Sequence, residues 1–411
     1  MNRKTFIKTI SATLAQLGLV GSASATNFNI DAKAPLNVVC GPYVMSATQS
    51  RANIVFLTNK RAVAEVILSS PDDKRFKKEK SFFDSEKSVG RKHIGTLHNI
   101  KIDGLKPEKT YNYKVVVKEV YEYWETYKGA AYGESKLSQP LVIQTYPNSE
   151  KKLSFKTLTD NSKPFSFFVI NDVHERVEHQ KSLLKFMNAN DEFLVLNGDM
   201  AHTYKNETHM LNAFLAGVSD TMQGGKSVFY ARGNHECRGK YSEPFLNYFP
   251  SPTDKTYYAF KCADTAFLIL DLCEDKGDSS KACGGINDFE TYRKRESAWL
   301  KRVLQTPIFK NAKRKIAIAH IPPFANDKTK YNVDTTKLFG DVLNKANLDL
   351  MICGHYHKQI FKKQGELFEN KKINFPMFVN CNMKALRVNV SDKQITLQTI
   401  DSSGNIETFT I

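Results

Sequence analysis

The pattern of hydrophobic and polar positions divides the chain into two zones, and the first is typical of β-structure. Residues 53–57 and 62–68 are rich in β-branched side chains and partly alternate between apolar and polar positions. The same pattern continues at 111–117 and 141–143. Short alternating runs separated by turns are typical of sandwich strands. We therefore predict a β-sandwich over residues 36–146, a length that suits a fold of about 100 residues.

The second zone follows a polar stretch and alternates apolar strands with amphipathic helices. Residues 147–163 contain few apolar side chains, and we predict a linker there. The alternation from residue 164 to residue 411 indicates an α/β domain. The predicted strands are 165–171, 192–197, 227–231, 315–319 and 348–353, the helices are 180–188, 207–222, 289–304 and 336–346, a hairpin spans 257–272, and a β-rich end begins at 377.

Composition excludes several classes of protein. Of 411 residues, 41% are hydrophobic and 25% are charged, which excludes a disordered chain, a collagen-like repeat and a multi-span membrane protein. The formal net charge is +16, which favours anionic ligands but is also common on a solvated surface. No aromatic-plus-basic groove of the kind that single-stranded nucleic acids need is evident, so we predict no stable nucleic-acid partner.

The first 25 residues have the features of an export signal. They contain three basic residues and no acid, a short apolar stretch, and the small-residue sequence Ala23-Ser24-Ala25. The basic start at Arg3-Lys4 resembles a twin-arginine signal with lysine in the second place, so both export routes stay open. We predict a periplasmic or secreted protein with no membrane span after cleavage. In such a compartment Cys273 and Cys283 can close a short loop.

Polar residues of metal-ligand type follow five of the predicted strands. In open α/β sheets, sites form at the carboxyl ends of strands, so these residues are expected to meet. Two residues that are two positions apart in extended chain point to the same side and can reach one ion. Eight of the ten histidines fall in the second zone, and five of those eight lie at these strand ends. The five places are Asp172 with His174, Asp199, Asn234 with His235 and Glu236, His320, and His355 with His357.

This set resembles the pattern of the calcineurin-like metallophosphoesterases. Their motifs are Asp-x-His, Gly-Asp, Gly-Asn-His-Asp/Glu, a lone His and Gly-His-x-His, and all are matched between residues 172 and 357. The resemblance implies an α/β domain with a β-sandwich core flanked by helices. Residues 104–113, with Leu105, Pro107 and Tyr111, resemble the corner of a fibronectin type III sandwich. A sandwich in that position is similar to the amino-terminal domain of purple acid phosphatases.

The resemblance implies a dinuclear metal centre that hydrolyses anionic phosphate esters. The donors suit two divalent ions, either Mn, Fe or Zn, and a hydroxide that they hold would be the nucleophile. His235 would stabilise phosphoryl oxygens or protonate the leaving group, and Glu236 would hold the ring of His235, unless it forms only a surface salt bridge. Asp172, His174 and His357 would hold the first ion, Asn234, His320 and His355 the second, and Asp199 would bridge them.

One departure from the purple acid phosphatases concerns colour. Those enzymes have a tyrosine ligand three residues after the bridging aspartate, where this chain has His202. We therefore predict no tyrosinate-to-iron charge transfer, and His202 has either a supporting role at the site or none.

Three functions stay open at the level of sequence. A phosphomonoesterase is favoured, and a phosphodiesterase or nuclease can use the same metal donors. The third is a binding protein that has kept the fold but lost the reaction. This possibility is disfavoured, because every expected metal-ligand position carries a suitable donor.

Overall fold

A computed structural model of the chain describes residues 33–69, 79–86, 90–122, 136–324 and 335–411. The predicted export signal at 1–25 lies outside these ranges. No helix within them is long and apolar enough to cross a membrane. All seven cysteines lie within them and have free thiols, so the bridge that Cys273 and Cys283 can form is not present in this structure.

The N-terminal zone is a curved antiparallel sheet built around one long strand. The predicted strands 53–57 and 62–68 are parts of this single strand, whose register against its neighbour shifts between Leu57 and Ala62. The strands of this zone are β1 (Val38–Met45), β2 (Arg51–Ser69), β3 (Glu79–Phe83), β4 (Ser85–Glu86), β5 (Arg91–Lys92), β6 (Gly95–Asp103), β7 (Thr110–Glu122), β8 (Lys136–Leu137), β9 (Leu141–Ile143) and β10 (Ser154–Lys156). The long strand is β2. Its first half pairs with β1 and β6, and its second half pairs with β3 and β7.

The turn between β6 and β7 is fixed by a tyrosine. The backbone N–H of Lys106 donates to the hydroxyl of Tyr111 at 2.8 Å, and Leu105 packs into the core of this zone. The bond ties the start of β7 to the turn that precedes it. The zone is therefore β-rich, as predicted.

Part of the predicted linker is structured. Within 147–163, strand β10 runs antiparallel to β7. The side chains of Leu153 and Phe155 are buried in the N-terminal core, where Phe155 lies 5.9 Å from the ring of Tyr111. These two apolar residues attach the stretch to the first zone.

Two mixed sheets face each other in the C-terminal zone. In the first, β13, β12 and β11 are parallel, and β22, β23 and β24 extend it with antiparallel pairs. In the second, β15, β16, β17 and β21 are parallel between antiparallel strands β14 and β18. The strands are β11 (Phe165–Ile170), β12 (Asp191–Asn197), β13 (Ser227–Ala231), β14 (Tyr258–Cys262), β15 (Thr265–Leu270), β16 (Arg314–Ala319), β17 (Leu350–Cys353), β18 (Ile360–Lys362), β19 (Leu367–Phe368), β20 (Lys371–Lys372), β21 (Met377–Val379), β22 (Lys384–Val390), β23 (Ile395–Asp401) and β24 (Ile406–Thr410).

The core between the two sheets is largely aromatic. Phe229 stacks on Phe260 of the other sheet at 4.0 Å, and Phe193 meets Phe267 edge to face at 5.4 Å. The central strands are apolar on both faces because helices cover their outer sides, as parallel strands require. The predicted sandwich core flanked by helices and the predicted hairpin, now β14 and β15, are confirmed.

Helices cover the outer face of each sheet. The first three pack on the sheet that contains β11 to β13, and the last three pack on the other. The continuous helix α2 changes to π-helical geometry in its middle, over Leu211–Leu215. The helices are α1 (Val177–Leu184), α2 (207–222), α3 (Phe245–Tyr248), α4 (Phe289–Val303), α5 (Pro307–Lys310) and α6 (336–343), with 3-10 turns at His235–Cys237, Lys240–Ser242 and Lys281–Cys283.

The two zones share one sheet. Strand β1 pairs in parallel with β13, with Val44 opposite Ser227 and Met45 opposite Val228. The buried hydroxyl of Tyr43 also donates to the carbonyl of Tyr248 at 3.0 Å. The edge of the first C-terminal sheet is thereby covered, which removes an unpaired strand edge from solvent.

Candidate metal centre

The predicted site residues lie in loops at the carboxyl ends of β11, β12, β13, β16 and β17. The backbone of five of them has a positive φ, between 48° and 71°. Non-glycine residues rarely adopt this conformation, and where they do the strain often serves a site. Here these residues lie in the three loops that follow β11, β12 and β17. The five residues are Asp172, His174, Asp199, His355 and His357.

One group of donors is centred on Asp172. Its side chain is fully buried, and its Oδ1 lies 3.0 Å from Nε2 of His357 and 3.7 Å from Nε2 of His174. The two imidazole Nε2 atoms are 3.1 Å apart. Oδ2 accepts hydrogen bonds from the backbone N–H of His355 at 3.0 Å and from Asn171 at 2.6 Å, which fixes the carboxylate.

A second group is centred on Asp199. Its Oδ2 lies 3.0 Å from Nε2 of His320, whose Nδ1 donates to the carbonyl of Asn197 at 2.7 Å. That bond points Nε2 at the carboxylate, as outer partners of a ligating histidine do. Nδ1 of His355 lies 3.1 Å from Oδ1 of Asn234.

The two groups are contiguous. Nε2 of His320 lies 3.8 Å from Oδ1 of Asp172, and Nε2 of His174 lies 3.9 Å from Oδ2 of Asp199. The structure therefore brings all seven predicted metal ligands into one cluster, with Asp199 reaching both groups. Gly198 permits this approach, because a Cβ there would lie 2.5 Å from the ring of His320, and its φ of +76° disfavours a side chain.

The charges of the cluster in the metal-free protein suit a cation. Burial alone would raise the pKa values of Asp172 and Asp199, but the charge of His320 holds both below their usual range. Burial would lower the pKa of His320, and the two carboxylates instead raise it to about 10. Burial, with the charge of His320, lowers the pKa of His355 to about 4. The hydrogen bond to Asp172 also raises the pKa of His357, so both His320 and His357 are favoured in their charged forms beside the two buried carboxylates.

The donor set fits divalent metal ions. Carboxylate and imidazole donors form three groups whose ligand atoms lie within 4.8 Å of one another, and the amide oxygen of Asn234 lies 3.1 Å from Nδ1 of His355. Neither Oδ1 of Asp172 nor Nε2 of His320 has a hydrogen bond of good geometry to the described residues, although both atoms are buried. Buried polar atoms without such partners are rare in proteins and fit coordination to an ion. No cysteine belongs to these groups, which fits Mn, Fe or Zn rather than a thiolate site.

Glu236 supports the backbone of the site and does not hold His235. Its side chain is fully buried, which excludes the alternative of a surface salt bridge, and its hydrogen bonds go to partners other than the ring of His235. Burial and the charge of Asp199 raise its pKa. Its two oxygens accept five hydrogen bonds of 2.8–3.1 Å, from the backbone N–H groups of Asp199, Met200 and Gly233 and from the hydroxyls of Tyr204 and Tyr230.

The ring of His235 is held by other groups. Nδ1 lies 2.8 Å from the carbonyl of His202, to which it can only donate, and Nη1 of Arg238 lies 3.0 Å from each ring nitrogen. Nε2 lies 3.7 Å from Oδ2 of Asp199. Burial lowers the pKa of His235, so the ring is neutral at pH 7 and Nε2 carries the lone pair.

His202 lies beside the cluster. Its ring stacks on that of His174 with centroids 4.7 Å apart, and its ring lies 5.9 Å from that of His235. The three histidines also form one of the three groups with metal-ligand spacing. Tyr204 lies two positions further along the chain, and its buried hydroxyl lies 3.1 Å from Oε1 of Glu236 and 2.9 Å from the hydroxyl oxygen of Tyr230.

Sequence reasoning missed the pair formed by Arg238 and Glu274. Nε and Nη2 of Arg238 donate to the two carboxylate oxygens of Glu274 at 2.6 and 2.9 Å. The polar loop that begins at Cys273 therefore lies against the loop of His235. The signal available was the run of charges at 274–276, which follows the apolar strand β15.

Comparisons with known proteins agree with this geometry. A family model described as Calcineurin-like phosphoesterase matches residues 165–359. None of the curated protein sequences matches the chain. Among solved structures, the purple acid phosphatase PPD1 from seeds of yellow lupin (Lupinus luteus) is similar over 90% of this chain and 73% of its own, with 12% identity and a TM-score of 0.63. PhoD is similar over 90% of this chain and 88% of its own, with 11% identity and a TM-score of 0.56. At these identities the likeness is one of fold, and it includes much of the N-terminal zone.

Proposed function

We propose that this chain is a dinuclear phosphomonoesterase, because residues 165–359 match the family model described as Calcineurin-like phosphoesterase. The observation that carries the proposal is the convergence of seven nitrogen and oxygen donors around Asp172 and Asp199. Similarity in fold to a purple acid phosphatase supports a phosphatase over the other enzymes that use such a site.

Each donor has a place in the proposed centre. Asp172, His174 and His357 would hold one ion, Asn234, His320 and His355 would hold a second, and Asp199 would contribute to both. Divalent ions bound there supply positive charge to the phosphoryl oxygens and lower the pKa of the attacking water.

The chain's own residues supply the proton transfer. His235 borders the centre, and its Nδ1 proton is committed to the carbonyl of His202. Because the ring is neutral at rest, Nε2 must first take a proton from water, and it is then the ring atom that can pass this proton to the leaving-group oxygen. Burial lowers the pKa of His235, so a proton on Nε2 is released readily. Glu236 acts indirectly, because it holds the backbone of Asp199 and Gly233.

The proposal extends to the rest of the chain. The bond between Lys106 and Tyr111 supports a fibronectin type III-like sandwich over 36–146, joined through 147–163 to a catalytic domain over 164–411. The basic start and Ala23-Ser24-Ala25 support cleavage of an export signal after residue 25 and a periplasmic or secreted enzyme. Mass spectrometry of the mature protein's amino terminus tests the cleavage.

A substrate panel tests the activity. We expect protein reconstituted with Mn, Fe or Zn to bind two ions per chain and to hydrolyse an aryl phosphate faster than its bis-aryl diester. The Asp199→Asn variant should lose activity and bind less metal, while Asp254→Asn, a matched change at an exposed position, should retain both. Undiminished turnover in Asp199→Asn would refute the shared role of Asp199. Faster diester hydrolysis would favour the phosphodiesterase, and two bound ions without turnover on any ester would favour the binding protein.

A further inference from the structure

Arg238 presents a guanidinium at the edge of the candidate centre. Two of its three nitrogens are engaged by Glu274, and the third, Nη1, lies 3.0 Å from Nε2 of His235. A guanidinium nitrogen of this kind carries two protons, and the imidazole accepts only one of them. The side chain of Arg238 is 31% exposed, so it is partly accessible to solvent.

Glu274 is itself held rigidly. Its side chain is only 4% exposed, and its backbone carbonyl accepts a hydrogen bond from Nη2 of Arg293 at 2.6 Å. Nε of Arg293 donates to the carbonyl of Leu272 at 2.9 Å, and Arg293 is fully buried in helix α4. The loop that carries Glu274 is therefore fixed to the helix behind it, and the orientation of Arg238 is set before any substrate arrives.

We propose that Arg238 binds a phosphoryl oxygen of the substrate through Nη1 and that Glu274 is the positioning residue that directs it there. This inference rests on the proposed phosphoesterase function. Arginine suits the task, because its planar group recognises phosphate oxygens with directional hydrogen bonds and stays charged at all relevant pH values.

The charges around Arg238 show whether it attracts substrate from a distance or binds it at short range. Lys276 lies 3.4 Å from Glu274 and 2.8 Å from Asp275, so two cations, Arg238 and Lys276, lie beside two carboxylates. The net charge of this group is close to zero. The contribution of Arg238 is therefore a directed hydrogen bond at short range, not a long-range attraction for anions.

Kinetics and phosphate binding test the proposal on the full metal-replete protein. Loss of one charge-assisted hydrogen bond predicts that Arg238→Ala lowers kcat/KM about 10- to 100-fold. The inhibition constant for inorganic phosphate should rise by a similar factor, and calorimetric titration with phosphate should show the same weakening. Arg238→Lys should recover part of the loss. Arg295→Ala removes the same charge from an exposed position on α4 and should match the wild type.

The role of Glu274 is tested through Arg238. Glu274→Gln should raise KM and the phosphate inhibition constant in the wild-type background. In the Arg238→Ala background it should add little, because a residue that acts only through a second residue is silent once that residue is gone. Additive losses would overturn the positioning role.

Two results would overturn the phosphoryl contact. One is an Arg238→Ala variant with unchanged phosphate binding. The other is a loss that depends on the leaving group, with esters of different alcohols affected unequally while phosphate binds normally. Failure of the proposed function has a different signature, because the wild-type protein would then hydrolyse no phosphate ester.

Discussion

Replacing Glu236 with glutamine tests whether one buried carboxylate organises the backbone of the metal centre. The glutamine has the same shape, but it keeps one acceptor oxygen and gains an amide that can only donate. The glutamine amide can take two orientations, and the more favourable one places its oxygen against the N–H groups of Asp199 and Gly233. The amide then faces two tyrosine hydroxyls, which can rotate to accept, and the N–H of Met200, which cannot.

The cost follows from those contacts. One buried donor left without an acceptor costs about 1–3 kcal/mol, and two remaining bonds to a neutral acceptor weaken by about 1 kcal/mol together. An opposing effect is relief of the repulsion between Glu236 and Asp199, which contributes to the raised pKa of Glu236. We therefore expect a net loss of about 2 kcal/mol, equivalent to a fall in Tm of about 4–8 °C for a domain of this size. Metal affinity should fall about 10- to 100-fold, as for other outer partners of metal sites.

Calorimetry and chelator competition measure these two effects. Thermal unfolding is compared for wild type and Glu236→Gln, each with excess chelator and with saturating metal. Glu178→Gln serves as control, because that carboxylate is 52% exposed and pairs only with Lys181 on the surface of α1. A Glu236→Gln protein that melts within about 1 °C of wild type and keeps its metal affinity would refute the reasoning.

Three further outcomes follow from the structure. Iron-loaded protein should lack a tyrosinate charge-transfer band in visible absorption; a strong band in the wild type would contradict this, and His202→Tyr is the variant that can introduce one. In metal-free protein, the pKa of His320 is raised to about 10. The stabilisation that the charged His320 provides is therefore complete below about pH 6.5 and is lost as the pH rises toward 10. Tm measured against pH should fall over that window, and the His320→Asn variant should show a flatter curve. Denatured, non-reduced protein should release seven titratable thiols, and a count of five would indicate a bridge such as one between Cys273 and Cys283.

The metal ligands could be predicted from sequence because their signal is local. Asp172 and His174, or His355 and His357, stand two positions apart directly after an apolar strand. Strand ends in a parallel sheet meet at one edge, so the motif and the fold class together place these residues near one another. Predicting that these residues lie close together therefore requires no knowledge of side-chain contacts.

The role of Glu236 could not be predicted, because neighbours in sequence need not be neighbours in space. His235 and Glu236 lie in one 3-10 turn with three residues per turn, so their side chains leave the backbone in different directions. The side chain of His235 is 19% exposed, whereas that of Glu236 is fully buried. The pairing of Arg238 with Glu274 could not be predicted either, because Glu274 lies 36 positions away in another loop.

Most strands and helices could be predicted from the sequence, but strand continuity and strand pairing could not. The β-branched residues at 53–57 and 62–68 identify strands, but nothing between them shows that β2 runs on without a break. The pairing of β1 with β13 depends on the tertiary arrangement, because each strand alone has only an apolar pattern. Helix α1 begins at Val177 and ends at Leu184, earlier at both ends than the amphipathic pattern predicts.

The sheet shared by the two zones has a consequence for the order of folding. The hydrogen bond from Tyr43 to Tyr248 joins positions 205 residues apart, so this seam closes only after the chain between them has taken shape. Loop-closure entropy grows slowly with length and costs little stability, but contacts so distant in sequence slow folding markedly. During refolding followed by pulsed hydrogen exchange, we expect the amides of β1 that face β13 to be protected last. Until then both strands expose unpaired edges, and the newly made chain is most prone to aggregation in that interval.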